Sequence, residues 1–103
     1  MGLIEIKIAA AAVPEVENAS PEMYGGEVTK VEMSAVGAIK ITFGSTAKTI
    51  TYTATGPATI PTELEIYNAW KPVIGAANGA SGPAVSAPQF QNSDGVNIYP
   101  TIT

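Results

Sequence analysis

Residues 27–54 read EVTKVEMSAVGAIKITFGSTAKTITYTA, and the alternation within this stretch decides the fold. From Glu27 to Ala35, Thr29, Val31, Met33 and Ala35 share one face, while Lys30 and Glu32 share the other with Val28. From Ala38 to Phe43, Ile39, Ile41 and Phe43 point inward, and Lys40 and Thr42 point outward. From Lys48 to Ala54, Ile50, Tyr52 and Ala54 oppose Thr49, Thr51 and Thr53. A period of two is the signature of a half-buried strand, because successive side chains leave opposite faces of the pleat. Val36-Gly37 and Gly44-Ser45 are tight-turn signals between the runs. The stretch therefore predicts a three-strand antiparallel meander. Its β-branched threonines suit a face in contact with water.

Outward from the meander, Leu3 to Ala9 alternates in the same way. Ile4, Ile6 and Ile8 lie on one side, and Glu5 and Lys7 on the other. The alanine run beyond is expected to extend this strand until Pro14 ends it. Residues 14–26 hold Pro14, Pro21, Gly25 and Gly26 with three glutamates, and read as a loop or arm. On the far side, Thr55-Gly56-Pro57 breaks the sheet. Thr62-Glu63-Leu64-Glu65 then matches a capping box, with Thr62 as N-cap and Glu65 three residues on. A helix of two to three turns is expected, with Leu64, Tyr67 and Trp70 on its buried face and Pro72 as its stop. Residues 72–88 are mostly Ala, Gly, Pro and Ser and read as an extended linker. A last strand is expected from Val96 onward after an Asp94-Gly95 turn, at an edge because of Pro100.

The fold class is thus mainly β: a small antiparallel β-sheet or a barrel or sandwich, with one short α-helix and extended terminal segments. At 103 residues the chain has room for a single domain, residues 1–103, with a loop at 14–26 and a linker plus C-terminal arm at 72–103. Large core formers are few, so a thin core supplemented by contacts with other subunits, as in a homo-oligomer, is expected.

Composition excludes several classes. Charged residues are 14% of the chain against about 25% in ordinary domains, so Thr, Ser, Asn, Gly and Ala must cover much of the surface. The net charge is −4, and the five basic residues, Lys7, Lys30, Lys40, Lys48 and Lys71, are scattered. Nucleic-acid binding requires a clustered basic face, so no nucleic-acid partner is expected. There is no cysteine and no histidine. Thiolate metal sites are therefore excluded, and the commonest general base and metal ligand is missing. The apolar run Ile8–Val13 is too short to span a bilayer, and it follows Glu5 and Lys7 rather than a basic segment, so neither a membrane nor a leader is expected. Met1-Gly2 suggests myristoylation, but Ile6 stands where Ser or Thr is needed.

The chemistry-bearing residues are sparse. Glu5 and Glu32 project from strands, and Glu63 and Glu65 belong to a helix start. Glu15, Glu17 and Glu22 offer oxygen ligands to a hard cation such as calcium, but without the Asp/Asn alternation and close glycine of a calcium loop. Ser45 and Lys48 could form a Ser–Lys dyad, yet both suit a hairpin turn. Gly75 to Gly82 has no Gly-Lys-Ser/Thr ending of a phosphate loop. Asn18-Ala19-Ser20 has the glycosylation pattern. Trp70, Tyr67 and Tyr24 could make a sugar-binding platform, but Tyr67 and Trp70 also have the spacing of a helix face packed into a core. No catalytic residue, metal site or cofactor is expected, and the chain reads as a non-enzyme.

The C-terminal segment is different. Phe90, Ile98 and Tyr99 are large apolar anchors beyond a linker and are the candidate partner contacts. They either form an arm that adds to a neighbour or return to complete the chain's own sheet.

The run Val28-Thr29-Lys30-Val31-Glu32, then Ala38–Phe43, Lys48–Ala54 and a short helix near Asn68-Ala69-Trp70, resembles small structural proteins of tailed bacteriophages, capsid decoration or cement proteins first among them. The resemblance covers residues 27–71 and rests on general character, namely Thr-rich strands, low charge and the lack of cysteine and histidine, with no diagnostic motif. It implies a non-catalytic virion part, made in the host cytoplasm, that bridges subunits of the major capsid protein or other virion subunits. A fibre base or connector component is a rival within that class. A carbohydrate- or protein-binding module is the alternative outside it.

Overall fold

The computed structural model describes residues 3–11, 13–25, 27–79 and 84–103. The myristoylation pattern at Met1-Gly2, and residues 80–83 of the expected linker, lie outside them.

The fold is mainly β with one helix. The meander is present as β5 (Val28–Ala35), β6 (Ala38–Phe43) and β7 (Thr46–Thr51), antiparallel in sequence order. Its central strand β6 turns Ile39, Ile41 and Phe43 into the core, with both isoleucines at 0% exposure. The β5–β6 turn needs its glycine. Gly37 has φ +76°, and a Cβ there would lie 2.5 Å from Ile60 Cδ1 and 2.7 Å from the Tyr52 carbonyl oxygen. Only glycine takes that backbone conformation without strain.

In β5 the predicted faces are half right. Val31 and Met33 pack against the core, and so does Val28, which alternation had placed with Lys30 and Glu32. The cause is a register shift between Val28 and Lys30, where Thr29 is the extra residue. A bulge inserts one residue and reverses the phase of the side chains before it.

A second sheet combines β1 (Leu3–Ile6), β4 (Glu22–Gly25) and β8 (Val85–Ser86) in the order β4-β1-β8, antiparallel on one side and parallel on the other. Ile4 and Ile6 are buried as their alternation requires. Two further pairs are short: β2 (Ala9–Ala10) with β3 (Val13–Glu17), and β9 (Phe90–Gln91) with β10 (Asn97–Ile98). The expected loop at 14–26 thus holds most of β3 and all of β4. Pro14 does not end a strand but is buried inside one. Its missing N–H matters little in a two-stranded pair, which has a free side. Tyr24 of β4 stacks on Phe43 of β6 at 5.5 Å, tying the two larger sheets together.

The helix α1 (Glu63–Gly79) is 17 residues long and runs through Pro72 rather than stopping there, so the first part of the expected linker is helical. Its start is the predicted one: Glu65 N–H donates to Thr62 Oγ1 at 3.3 Å, and that hydroxyl donates to Glu65 Oε1 at 3.1 Å. Its buried stripe is Ile66, Trp70 and Ala77, while Leu64 is 68% exposed. At about 100° per residue, Ile66 and Leu64 lie on opposite sides. Proline removes one backbone bond from a helix interior. The helix continues because the turns after Pro72 have tertiary partners: Val73 and Ile74 pack on the core, Ala77 is buried, and Asn78 grips a sheet edge. Asn78 Oδ1 accepts from the Val28 N–H at 2.9 Å, and its Nδ2 donates to the Val28 carbonyl at 3.3 Å. One amide side chain thereby satisfies both backbone groups of an edge residue.

Removing that grip should be measurable. Asn78→Ala is expected to lower stability by roughly 1–2 kcal/mol, seen as a lower urea midpoint at unchanged slope. Asn78→Asp keeps the acceptor but sets a carboxylate oxygen against the Val28 carbonyl, and should cost at least as much.

Candidate functional site

An aromatic cluster sits within the core. Trp70, on the buried stripe of α1, is fully enclosed. Its indole Nε1–H donates to the Tyr52 hydroxyl at 3.1 Å. The Tyr52 ring meets the Phe90 ring edge-on, with centroids 4.8 Å apart and planes at 82°. Tyr52 follows β7 and continues its inward alternation, so helix, meander and C-terminal hairpin converge on one cluster. Burial pushes the Tyr52 phenol above its ordinary pKa, with the Trp70 hydrogen bond acting the other way. These side chains have the geometry of a core and are occupied with one another.

The sugar-platform residues are not assembled on a surface. Trp70 is enclosed, Tyr67 is half-buried under the Lys71 ammonium, 4.9 Å from its ring centroid, and Tyr24 lies on Phe43. The Tyr24 phenol is raised to about 12, first by burial, then by its hydrogen bond to Glu22 and by that carboxylate's charge.

The acidic residues of 15–22 are spread over two strands. Glu15 Oε1 accepts from Thr55 Oγ1 at 2.9 Å, and its Oε2 is buried without a partner. Glu22 Oε2 accepts from Tyr24 at 2.9 Å, and Glu17 sits opposite Ala9. Among the described residues no group of three or more acidic side chains has the spacing of a metal site. Asn18 uses its side chain locally, accepting from the Ser20 N–H at 3.0 Å. Ser45 lies in the β6–β7 turn, while Lys48 is on β7 across from Ile41.

The described surface carries several depressions. A cleft of about 190 Å³ lies between β1 and the C-terminal segment, where Glu5, Lys7, Ser86, Gln89 and Tyr99 contribute polar atoms. A wider, open one of about 550 Å³ is walled by Val36, Ala54, Ile60 and Pro61. The first gathers one carboxylate, one amine and the phenols of Tyr52 and Tyr99, and the second is largely apolar.

The candidate contacts Phe90, Ile98 and Tyr99 are placed by their own chain. Phe90 is 8% and Ile98 1% exposed, and Tyr99 is half-buried with its N–H bonded to the Pro14 carbonyl at 2.8 Å. Of the two arrangements open to this segment, the return to its own sheet is the one found. The reason is local. Asn92, the buried polar residue of the hairpin, accepts through Oδ1 from the N–H groups of Asp94 and Val96, an Asx turn that folds β9 back onto β10. Ser93 N–H then donates to the Thr59 carbonyl, and Thr59 N–H to Ser93 Oγ, both at 2.9 Å. Finally β11 (Thr101–Ile102) joins the meander beside β7. The signal for this turn in the sequence is Asn92-Ser93-Asp94-Gly95, and Asp94-Gly95 alone marks a turn without fixing its direction.

Side chains left over for contact are scattered over strands and ends: Leu3, Val13, Val16, Met23, Val36, Leu64 and Val96 are all more than 40% exposed. Leu3 and Met23 lie on the outer faces of paired strands β1 and β4. No family model matches the chain, and no curated protein or solved structure matches it significantly.

The aromatic cluster yields two measurements. Tyr52→Phe leaves the buried indole N–H without its acceptor and should cost roughly 1–3 kcal/mol, with the blue-shifted emission of the single tryptophan retained. Alkaline pH should destabilise the fold. The unfolded chain's tyrosines ionise from about pH 10, while folded Tyr24 holds its proton to about 12 and Tyr52 is also raised. Their contribution is therefore complete below pH 10 and lost as pH rises through the folded values. Urea midpoints should decline above pH 10, and less steeply in Tyr24→Phe.

Proposed function

We propose that the chain is a non-catalytic structural part of a virion, of the capsid decoration or cement kind, which bridges capsid subunits through its β-surfaces. The observation that carries this reading is how the side chains are divided between core and surface. Most aromatic residues and most isoleucines fill the chain's own core, while among the described residues seven large apolar side chains stand exposed on a surface poor in charge. Such a surface costs little to desolvate when covered, and scattered apolar contacts add up when many copies bind a lattice. Catalysis would need convergent titratable groups of suitable strength, and the cleft beside β1 gathers one carboxylate, one amine and two phenols, Glu5, Lys7, Tyr52 and Tyr99. The bridging surface is taken to be the sheet faces and edges, because the C-terminal segment is used internally.

A sugar- or protein-binding module is less well supported, since it would present its aromatic side chains. The reading is tested by mass spectrometry of density-banded particles from the source of the gene. The chain should be present at a fixed ratio to the major capsid protein and should rebind particles stripped of it. Its absence from banded particles would overturn the reading.

A further inference from the structure

The meander sheet has the order β11-β7-β6-β5, so β5 is an outer strand, and with 8 residues it is the longest of the described strands. An outer strand presents a row of unpaired backbone groups that can template another strand. At one end of β5 this row is closed by Asn78, which takes both groups of Val28. Register shifts near both ends leave Lys30–Met33 as the regular stretch. Within it Val31 and Met33 are only half-buried although they face the core.

The charges on this stretch are self-complementary. Lys30 and Glu32 lie on the outer face, with side chains 66% and 42% exposed and 3.8 Å apart. Inside the sheet Glu32 faces Lys40 across β6, whereas Lys30 faces Thr42. Lys30 therefore has no carboxylate across from it in its own sheet. Two copies of β5 placed antiparallel about Val31 bring Lys30 of each opposite Glu32 of the other. The same register sets Val31 against Val31 on the core side, so each copy covers the other's half-buried edge.

We infer that β5 is a homodimerisation edge, on which a second copy of this chain pairs antiparallel about Val31 to join two meander sheets into one. A lysine on an outer strand usually discourages such pairing. Here the glutamate two residues away makes the same lysine complementary to a two-fold copy. Opposite charges directly across a strand pair attract, and like charges repel. The short regular stretch makes the association weak and dependent on concentration. This pairing does not depend on the particle assignment: a chain absent from particles would still pair in this way.

The test is sedimentation equilibrium of the full chain over a wide concentration range, with the variants Lys30→Glu and Glu32→Lys alone and mixed. Lys30 is largely exposed and Glu32 about half so, but Glu32→Lys also sets a lysine opposite Lys40 across β6. The circular dichroism and urea midpoint of each variant are therefore compared with the wild type. Glu32→Gln, which removes the charge without opposing Lys40, should weaken the dimer in the same direction. The wild type is expected to show a monomer–dimer equilibrium that weakens with salt. Each single variant sets like charges opposite at two places and should raise the dissociation constant roughly tenfold or more. An equimolar mixture pairs two acidic residues with two basic ones and should recover dimer as a heterodimer. A wild type that stays monomeric at millimolar concentration overturns the inference. So does a dimer indifferent to both variants, or a mixture that recovers nothing.

Discussion

The hydrogen bond from the Trp70 indole to the Tyr52 hydroxyl is the constraint on which the rest of the structure depends. Each group is buried, and each would be costly to bury alone. Together they fix the rotation of α1 against the end of the meander. With Trp70 in place, Ile66 and Ala77 necessarily face the same core, and Leu64 faces away. Tyr52 in turn offers its ring to Phe90, which positions the C-terminal hairpin. A protein with few large side chains thus organises three segments, distant in sequence, around one polar contact inside an apolar cluster.

A similar sparseness governs the surface. With charged residues at 14%, electrostatics holds little of the exterior together, and the one ion pair among the described residues, Lys30–Glu32, is exposed. Exposed pairs of this kind contribute little to monomer stability. Their value lies in discriminating between registers and partners. Backbone and amide hydrogen bonds do the holding instead: Asn78 on Val28, Asn92 in its turn, Ser93 with Thr59.

The regular parts of the fold were legible in the sequence. Alternation placed Ile4, Ile6, Ile39, Ile41, Ile50 and Tyr52 in the core, and the Thr62–Glu65 box placed the helix start. What escaped were features in which distant contacts override local signals. The bulge at Thr29 reverses the phase of Val28, and no propensity announces it. Proline after a short amphipathic run reads as a stop, but Asn78 and Ala77 carry the helix past Pro72. Pro14 reads as the end of a strand, yet the short β2–β3 pair tolerates it, whereas Pro21 lies in the loop before β4 as its residue type suggests. For the candidate site, the reading of Trp70 and Tyr67 as one packed face was recoverable from spacing. The destination of Phe90, Ile98 and Tyr99 was not, because an arm and a returning hairpin share the same residues until the Asn92 turn is seen.

The routing of β8 and β11 has a consequence for biosynthesis. Thr103 exchanges two backbone bonds with Thr49, Pro100 accepts from Ala9, and β1 takes β8 as its parallel neighbour. A growing chain cannot complete either larger sheet while residues 85–103 are still being made or lie inside the ribosome, since a strand of each sheet belongs to that stretch. Until those residues emerge, β1 and β7 each lack one neighbour. The two sheets therefore close only once this stretch has emerged, and the interval before closure is when these strands are open to other chains in a crowded cell.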